Sequence, residues 1–139
     1  KELEISDAIA TYKPENKRSQ VLKTKKNTLI VDCYNANPTS MMLALESFHD
    51  FGYNKKIAII GDMLELGEES EQEHKKIIDY CEANNIDFIT VGPIFQKLKT
   101  DGAYQTVDEL SSELAKINSS AILLKGSRGI ELEKLITQL

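Results

Sequence analysis

Short apolar runs recur along the chain, separated by stretches whose apolar positions repeat every three or four residues. Five runs, at residues 28–33, 56–61, 87–91, 103–107 and 121–125, are rich in Ile and Val and nearly continuous. Strands buried on both faces have this character, as in a parallel sheet, whereas half-exposed strands alternate. The intervening stretches predict helices. The first spans 38–51, with Asn37 as N-cap, Pro38 at the first helical position, a Met41, Leu45, Phe48 stripe and Gly52 as the stop. The second spans 71–83, with Ser70 and Glu73 as a capping box and His74, Ile77, Ile78 and Cys81 on one face. A third spans 108–117 on Leu110, Leu114 and Ile117, and a last 130–139 on Leu132, Leu135, Ile136 and Leu139. Strands and helices in this rhythm predict right-handed βαβ units and an open, mostly parallel α/β sheet flanked by helices.

Residues 1–27 stand outside that rhythm. They read as a helix over 5–12, a linker containing Pro14, and a basic strand over 20–26 that can pair with 28–33 through a turn at Lys26-Asn27. This segment is expected to be a tail or hinge from an upstream domain, with residues 28–139 forming the α/β domain. The chain opens on Lys1 rather than Met, which fits a piece of a longer protein.

The length of 139 residues suits one domain, and 41% hydrophobic with 28% charged residues suits a globular one. The longest aliphatic runs have four residues, far short of the ~20 of a membrane-spanning helix, and Lys1-Glu2-Leu3-Glu4 opens no signal peptide. Cys33 and Cys81 have neither disulfide-scaffold nor metal-ligand spacing, which points to a reducing cytoplasm. A net charge of −5 argues against a general nucleic-acid binder. The charge is uneven. Residues 1–27 hold seven basic against four acidic side chains, and residues 62–87 hold nine acidic against two basic. The acidic block reads first as the solvated face of a helix.

In open α/β sheets, ligands bind beyond the carboxyl ends of the strands. Three of those ends carry polar, flexible sequence. Asp32-Cys33-Tyr34-Asn35-Ala36-Asn37-Pro38 offers a carboxylate, an aromatic ring and two amides; a turn and cap explain Asn37-Pro38 but do not require Asp32, Tyr34 and Asn35 together. Gly61-Asp62-Met63-Leu64-Glu65-Leu66-Gly67 offers close backbone approach and a carboxylate that can orient a cation or amine, with its apolar residues tucking over the sheet. Lys125-Gly126-Ser127-Arg128-Gly129 sets two cations beside a helix start, an arrangement suited to anions or, more plainly, to a capped turn. His74, on an apolar helix face, reads as an orienting residue, and His49 as a surface residue at a helix end. There is no phosphate loop, no G-x-G-x-x-G, no nucleophile elbow and no zinc pattern. No metal-ligating set is assigned.

Tyr34-Asn35-Ala36-Asn37-Pro38, then residues 61–67, Val91-Gly92-Pro93 and residues 125–129, in this order, resemble the C-terminal domain of the Mur ligases. The close likeness is to the branch that adds D-alanyl-D-alanine to UDP-N-acetylmuramoyl-tripeptide in peptidoglycan precursor synthesis. It covers about residues 27–139 and includes the stretch 69–75 leading into His74. The resemblance implies a Rossmann-like fold within a three-domain cytoplasmic enzyme. An upstream domain would grip the UDP-sugar. A central one would carry the phosphate loop and the Mg2+ ligands, and this one would close over ATP and the incoming dipeptide. It implies amide formation through an acyl phosphate of the tripeptide carboxylate, a reaction run on positioning and charge neutralisation. Asp32, Tyr34, Asn35 and Asn37 match the loop facing ATP. Asp62 and Lys125 would support catalysis, with Ser127 and Arg128 holding the dipeptide carboxylate and Asp62 its ammonium. Cys33 stands where this family has Ser or Thr. The domain alone would bind without turnover. Two other readings remain open at this point. One is a receiver-like phosphoacceptor using Asp32, Asp62 and Lys125, although Cys33-Tyr34 supplies no acidic pair. The other is an interaction module using the 62–87 acidic block.

Overall fold

The computed structural model describes residues 20–32, 36–64, 66–99 and 101–139. Its elements in chain order are β1 (Gln20–Lys23), β2 (Thr28–Asp32), α1 (Pro38–Asp50), β3 (Lys56–Gly61), α2 (Ser70–Ala83), β4 (Phe88–Val91), α3 (Pro93–Leu98), β5 (Ala103–Tyr104), α4 (Val107–Leu110) and β6 (Ala121–Lys125). They build one six-stranded sheet in the order β1-β2-β6-β3-β4-β5. β1 runs antiparallel to β2, and the other pairs are parallel. The mostly parallel α/β sheet follows from the apolar runs, and each central strand is covered on both faces.

Strand parity sorts the side chains. Ile30, Ala58, Ile60, Ala121 and Leu123 pack with Met41, Leu45 and Phe48 of α1 and Ile77, Ile78 and Cys81 of α2. Their neighbours Leu29, Val31, Ile59, Ile122 and Leu124 pack on the opposite face with Val107, Leu110, Leu114, Leu132 and Leu135. Each layer buries its apolar stripe against one sheet face, the two-sided solution that parallel sheets require.

Several boundaries differ from the sequence reading. Ser70 does not cap α2. A 3-10 turn at Gly67–Glu69 runs straight into the helix, so Ser70 is itself helical and its N–H donates to the Gly67 carbonyl. The capping box is therefore absent, and the Ser70 hydroxyl is buried without a partner. Gly52 is not the stop for α1. The chain turns extended at Phe51, and Lys56 Nζ donates to the carbonyls of Phe48, His49 and Phe51. The run at 103–107 pairs only over Ala103–Tyr104, because Thr106 caps α4 and takes Val107 into the helix. The predicted 108–117 helix gives way to a 3-10 turn at Ser111–Lys116, and the last segment is 3-10 over Leu132–Gln138. α3 was not anticipated.

The β1–β2 hairpin forms in the expected register, with Gln20 opposite Val31 and Lys23 opposite Thr28. Its turn is tied to the far end of the chain. Asn27 Nδ2 donates to the carbonyls of Ile117 and Leu139, while Asn27 Oδ1 accepts from Ser120 N–H. Residues 20–27 are thus built into the domain. The predicted 5–12 helix and Pro14 linker lie outside the described residues.

Cys81 is fully buried, and burial pushes its thiol up to about 12. A rise of that size cuts the thiolate fraction about 1,000-fold near pH 8, and the thiolate is the nucleophile. Iodoacetamide is therefore expected to label Cys81 at least 100-fold more slowly in the native chain than in urea, read by peptide mapping; comparable rates would contradict the burial.

Candidate ligand site at the carboxyl edge of the sheet

The parallel strands end together at one edge. Asp32 of β2 is in register with Lys125 of β6, which is also opposite Ile60 of β3, and Gly61 pairs with Val91 of β4. Asp32 lies two positions beyond Ile30 and Lys125 two beyond Leu123, so both charges inherit the inward parity of core residues. They meet there. Lys125 Nζ is 2.7 Å from Asp32 Oδ2, with the side chains 1% and 5% exposed. Two charges withdrawn from water require each other, because a lone one would carry an uncompensated desolvation cost. Asp32 and Lys125 are therefore an internal ion pair at the base of the edge, joining the ends of β2 and β6.

Asp62 is inside as well, at 0% exposure. Its two carboxylate oxygens accept the first amides of α3, Ile94 N–H at 2.8 Å and Phe95 N–H at 3.0 Å. An acid at a helix start satisfies otherwise orphaned donors and complements the helix dipole. Burial pushes the carboxyl up, and the Phe95 and Ile94 amides partly offset this. A carboxylate so enclosed has no exposed oxygen for a substrate ammonium, so the ammonium expectation for Asp62 gives way to capping of α3. Gly92 makes this possible. Its φ is +129°, and a side chain there would collide with the Asp62 carboxylate.

His74 is fully buried on α2. Its Nε2 accepts the Met63 amide at 2.9 Å, and its Nδ1 is 2.7 Å from the Ser70 carbonyl. Its ring meets the edge of Phe95, with centroids 4.5 Å apart at 72°. The ring thus touches the backbone of α2, the 62–64 segment and α3 at once. The next residue, Leu64, donates its amide to Ser127 Oγ at 2.8 Å, while Ser127 N–H donates to the Asp62 carbonyl at 3.1 Å. The 61–64 and 125–129 loops are in this way stitched together. Backbone contact supports the stitching, since a Cβ on Gly126 would fall 2.8 Å from Gly61 Cα.

What faces solvent at this edge is narrower than the sequence suggested. Arg128 and Gly129 are exposed, Ser127 is 7% exposed, and Asn37 is exposed while its Oδ1 caps α1 by accepting Ser40 N–H at 2.8 Å. Tyr34 and Asn35 lie outside the described residues. Beside Asn37 a hollow of about 750 Å³ is lined by Thr39, Ser40, Leu43, Leu66, Glu69 and Glu73. A second hollow of about 440 Å³, between Lys55, Asn85 and Lys116, opens at the amino end of the sheet, away from these strand ends. Among the described residues no three His, Cys, Asp or Glu gather as a metal site, and no helix is long and apolar enough to cross a membrane. The sequence reading missed α3 and the role of Gly92. Gly92-Pro93 directly after a strand was the available signal, since Pro is favoured at the first helical position.

A mostly parallel sheet with its polar loops gathered at the carboxyl edge defines a Rossmann-like α/β domain. The chain belongs to the Mur ligase family: the family model described as "Mur ligase, glutamate ligase domain" matches residues 17–136. The chain is 32% identical over 147 aligned positions to the UDP-N-acetylmuramoyl-tripeptide–D-alanyl-D-alanine ligase of Rickettsia prowazekii, covering 98% of this chain and 33% of that protein. It thus spans about a third of the length of the curated relatives it matches. A MurF structure from Acinetobacter baumannii is similar with a TM-score of 0.78 and 29% identity, covering 91% of this chain and 30% of that one. The MurF ligase of Thermotoga maritima in complex with ADP shares the fold, with a TM-score of 0.70 at 23% identity over 86% of this chain and 29% of that one.

Proposed function

We propose that this chain is the C-terminal domain of a cytoplasmic ligase that joins D-alanyl-D-alanine to UDP-N-acetylmuramoyl-tripeptide with ATP. The observation that carries the reading is the alignment of 98% of the chain with a third of a ligase of that name. The geometry supports it at the carboxyl edge. Ser127 and Arg128 are assigned to the dipeptide carboxylate, because a guanidinium matches a carboxylate in charge and shape. Asn37, with Tyr34 and Asn35 beside it in sequence, is assigned to the nucleotide. The hollow next to Asn37 has the volume of a small-molecule site and apolar Leu43 and Leu66 in its lining, a fit for a planar base. When bound, ATP supplies the phosphoryl group that activates the tripeptide carboxylate. The Mg2+ ligands are assigned to the central domain that the family resemblance implies. Lys125 and Asp32 act as a buried pair at the strand ends rather than by touching reactants.

The two other readings are less well supported. A phosphoacceptor aspartate must meet its phosphoryl donor, yet Asp32 and Asp62 are 3% and 0% exposed. The acidic residues of α2 are solvated, and Glu73 and Asp79 sit in helical pairs with Lys76 and Lys75.

Phosphate release by the ligase carrying this domain is expected to require both peptide substrates. Arg128→Ala is expected to raise KM for D-alanyl-D-alanine by about 10–100-fold, the worth of a charge-assisted hydrogen bond. Phosphate release indifferent to the dipeptide would sink the reading.

A further inference from the structure

We propose that His74 is a positioning residue for the Ser127–Arg128 anion site, acting through the backbone of Met63 and Leu64; this rests on the reading that those two residues receive the dipeptide carboxylate. The partners of the ring set its tautomer. Met63 N–H donates to Nε2, so that nitrogen carries no proton. The Ser70 carbonyl can only accept, so Nδ1 carries it. His74 thus links a rigid point on α2 to the middle of the 62–64 segment. The two residues flanking Met63 both engage Ser127. Asp62 O accepts its N–H, and Leu64 N–H donates to its Oγ. Ser127 is therefore held from both sides by a three-residue bridge whose centre is fastened by one imidazole nitrogen. A histidine kept only for packing would leave Met63 N–H to another acceptor. Here Met63 is fully buried, and an unmet amide would be costly. The Leu64 bond also occupies an acceptor lone pair of the Ser127 hydroxyl, which leaves its hydrogen for a ligand oxygen. Loss of the imidazole bond lets the bridge shift, and Ser127 and the adjoining Arg128 shift with it.

The test uses the complete ligase and, in parallel, the isotope-labelled 139-residue chain. His74→Asn is too short to reach Met63 N–H, whereas the amide oxygen of His74→Gln can take it. With folding of each variant verified by thermal melting, His74→Asn is expected to raise KM for D-alanyl-D-alanine about 10–100-fold while kcat changes less than about 3-fold, the usual effect of a small misplacement. His74→Gln is expected to restore KM to within about 3-fold of wild type. In the labelled chain, the amide resonances of Leu64, Ser127 and Arg128 should move in His74→Asn and return in His74→Gln. Unchanged KM in a folded His74→Asn enzyme, or a fall in kcat alone, overturns the proposal, as does resonance movement confined to α2. If wild-type ligase shows no dipeptide-dependent phosphate release, the functional reading itself falls; if it does and the Asn variant keeps its KM, only the role of His74 falls.

Discussion

Lys125→Met is expected to destabilise the domain by about 3–5 kcal/mol, the cost of leaving a buried partner charge uncompensated. The substitution keeps the side chain's length and apolar stem but removes the ammonium that lies 2.7 Å from Asp32 Oδ2. Asp32, 3% exposed, would then lose the cation beside its carboxylate at the end of a fully buried strand. Asp32→Asn should cost a comparable amount, because an amide cannot neutralise the lysine. The double variant should cost clearly less than the sum, since removing both charges also removes the desolvation problem. Urea titration followed by circular dichroism gives all three values at an unchanged slope. A Lys125→Met variant within about 1 kcal/mol of wild type would show that the pair is not the internal one seen here. In the complete ligase, the remaining activity of Lys125→Met should follow its folded fraction, as befits a residue that holds the edge rather than touching reactants.

That pair also shows how far the sequence could be read. The strand ends were recognisable because aliphatic runs stop abruptly at polar residues, and they do assemble at one edge. Whether each polar residue points out or in depends on parity. Asp32 follows Ile30 by two and Lys125 follows Leu123 by two, so both were readable as inward once those strands were taken as buried on both faces. Asp62 was harder. Its partners are amides 32 and 33 positions further on, in a helix of six residues, too short to display periodicity. The absent Ser70 capping box has another cause. The 3-10 turn before it supplies the acceptor for the Ser70 amide, and motif matching cannot see which residue becomes helical first. For the last segment, apolar residues at 132 and 135 fit a 3-10 repeat as well as an α-helical one. The bridge from His74 to Ser127 runs through main-chain atoms of Met63 and Leu64, so side-chain identity carries almost no trace of it.

Gly92→Ala is expected to cost about 3–5 kcal/mol, from backbone strain of 1–3 kcal/mol together with weakened charge-assisted bonds. The φ of +129° is one that side chains rarely adopt, and a Cβ there would lie 2.3 Å from Asp62 Cγ and 2.5 Å from each carboxylate oxygen. The carboxylate must retreat, and with it go the bonds from Ile94 and Phe95 that start α3. Gly52→Ala is the matched control. Nothing lies within 4 Å of its Cβ position and its φ is not in the positive region, so its effect should stay within about 1 kcal/mol. Asp62→Asn tests the same contact from the other side. It should cost about 1–2 kcal/mol alone, and its combination with Gly92→Ala should fall short of the sum, because one collision underlies both. The carboxyl also leaves a signature in pH. Burial holds it above its ordinary value, so the folded chain binds that proton more tightly than the unfolded chain. Its contribution to stability is then fully present below the ordinary carboxylate pKa and declines as pH rises through the raised one. Asp62→Asn should flatten that part of the stability–pH curve. A Gly92→Ala variant as stable as Gly52→Ala would mean that α3 does not start on Asp62 in solution, and the buried network joining α3, α2 and the 125–129 loop would lose its central tie.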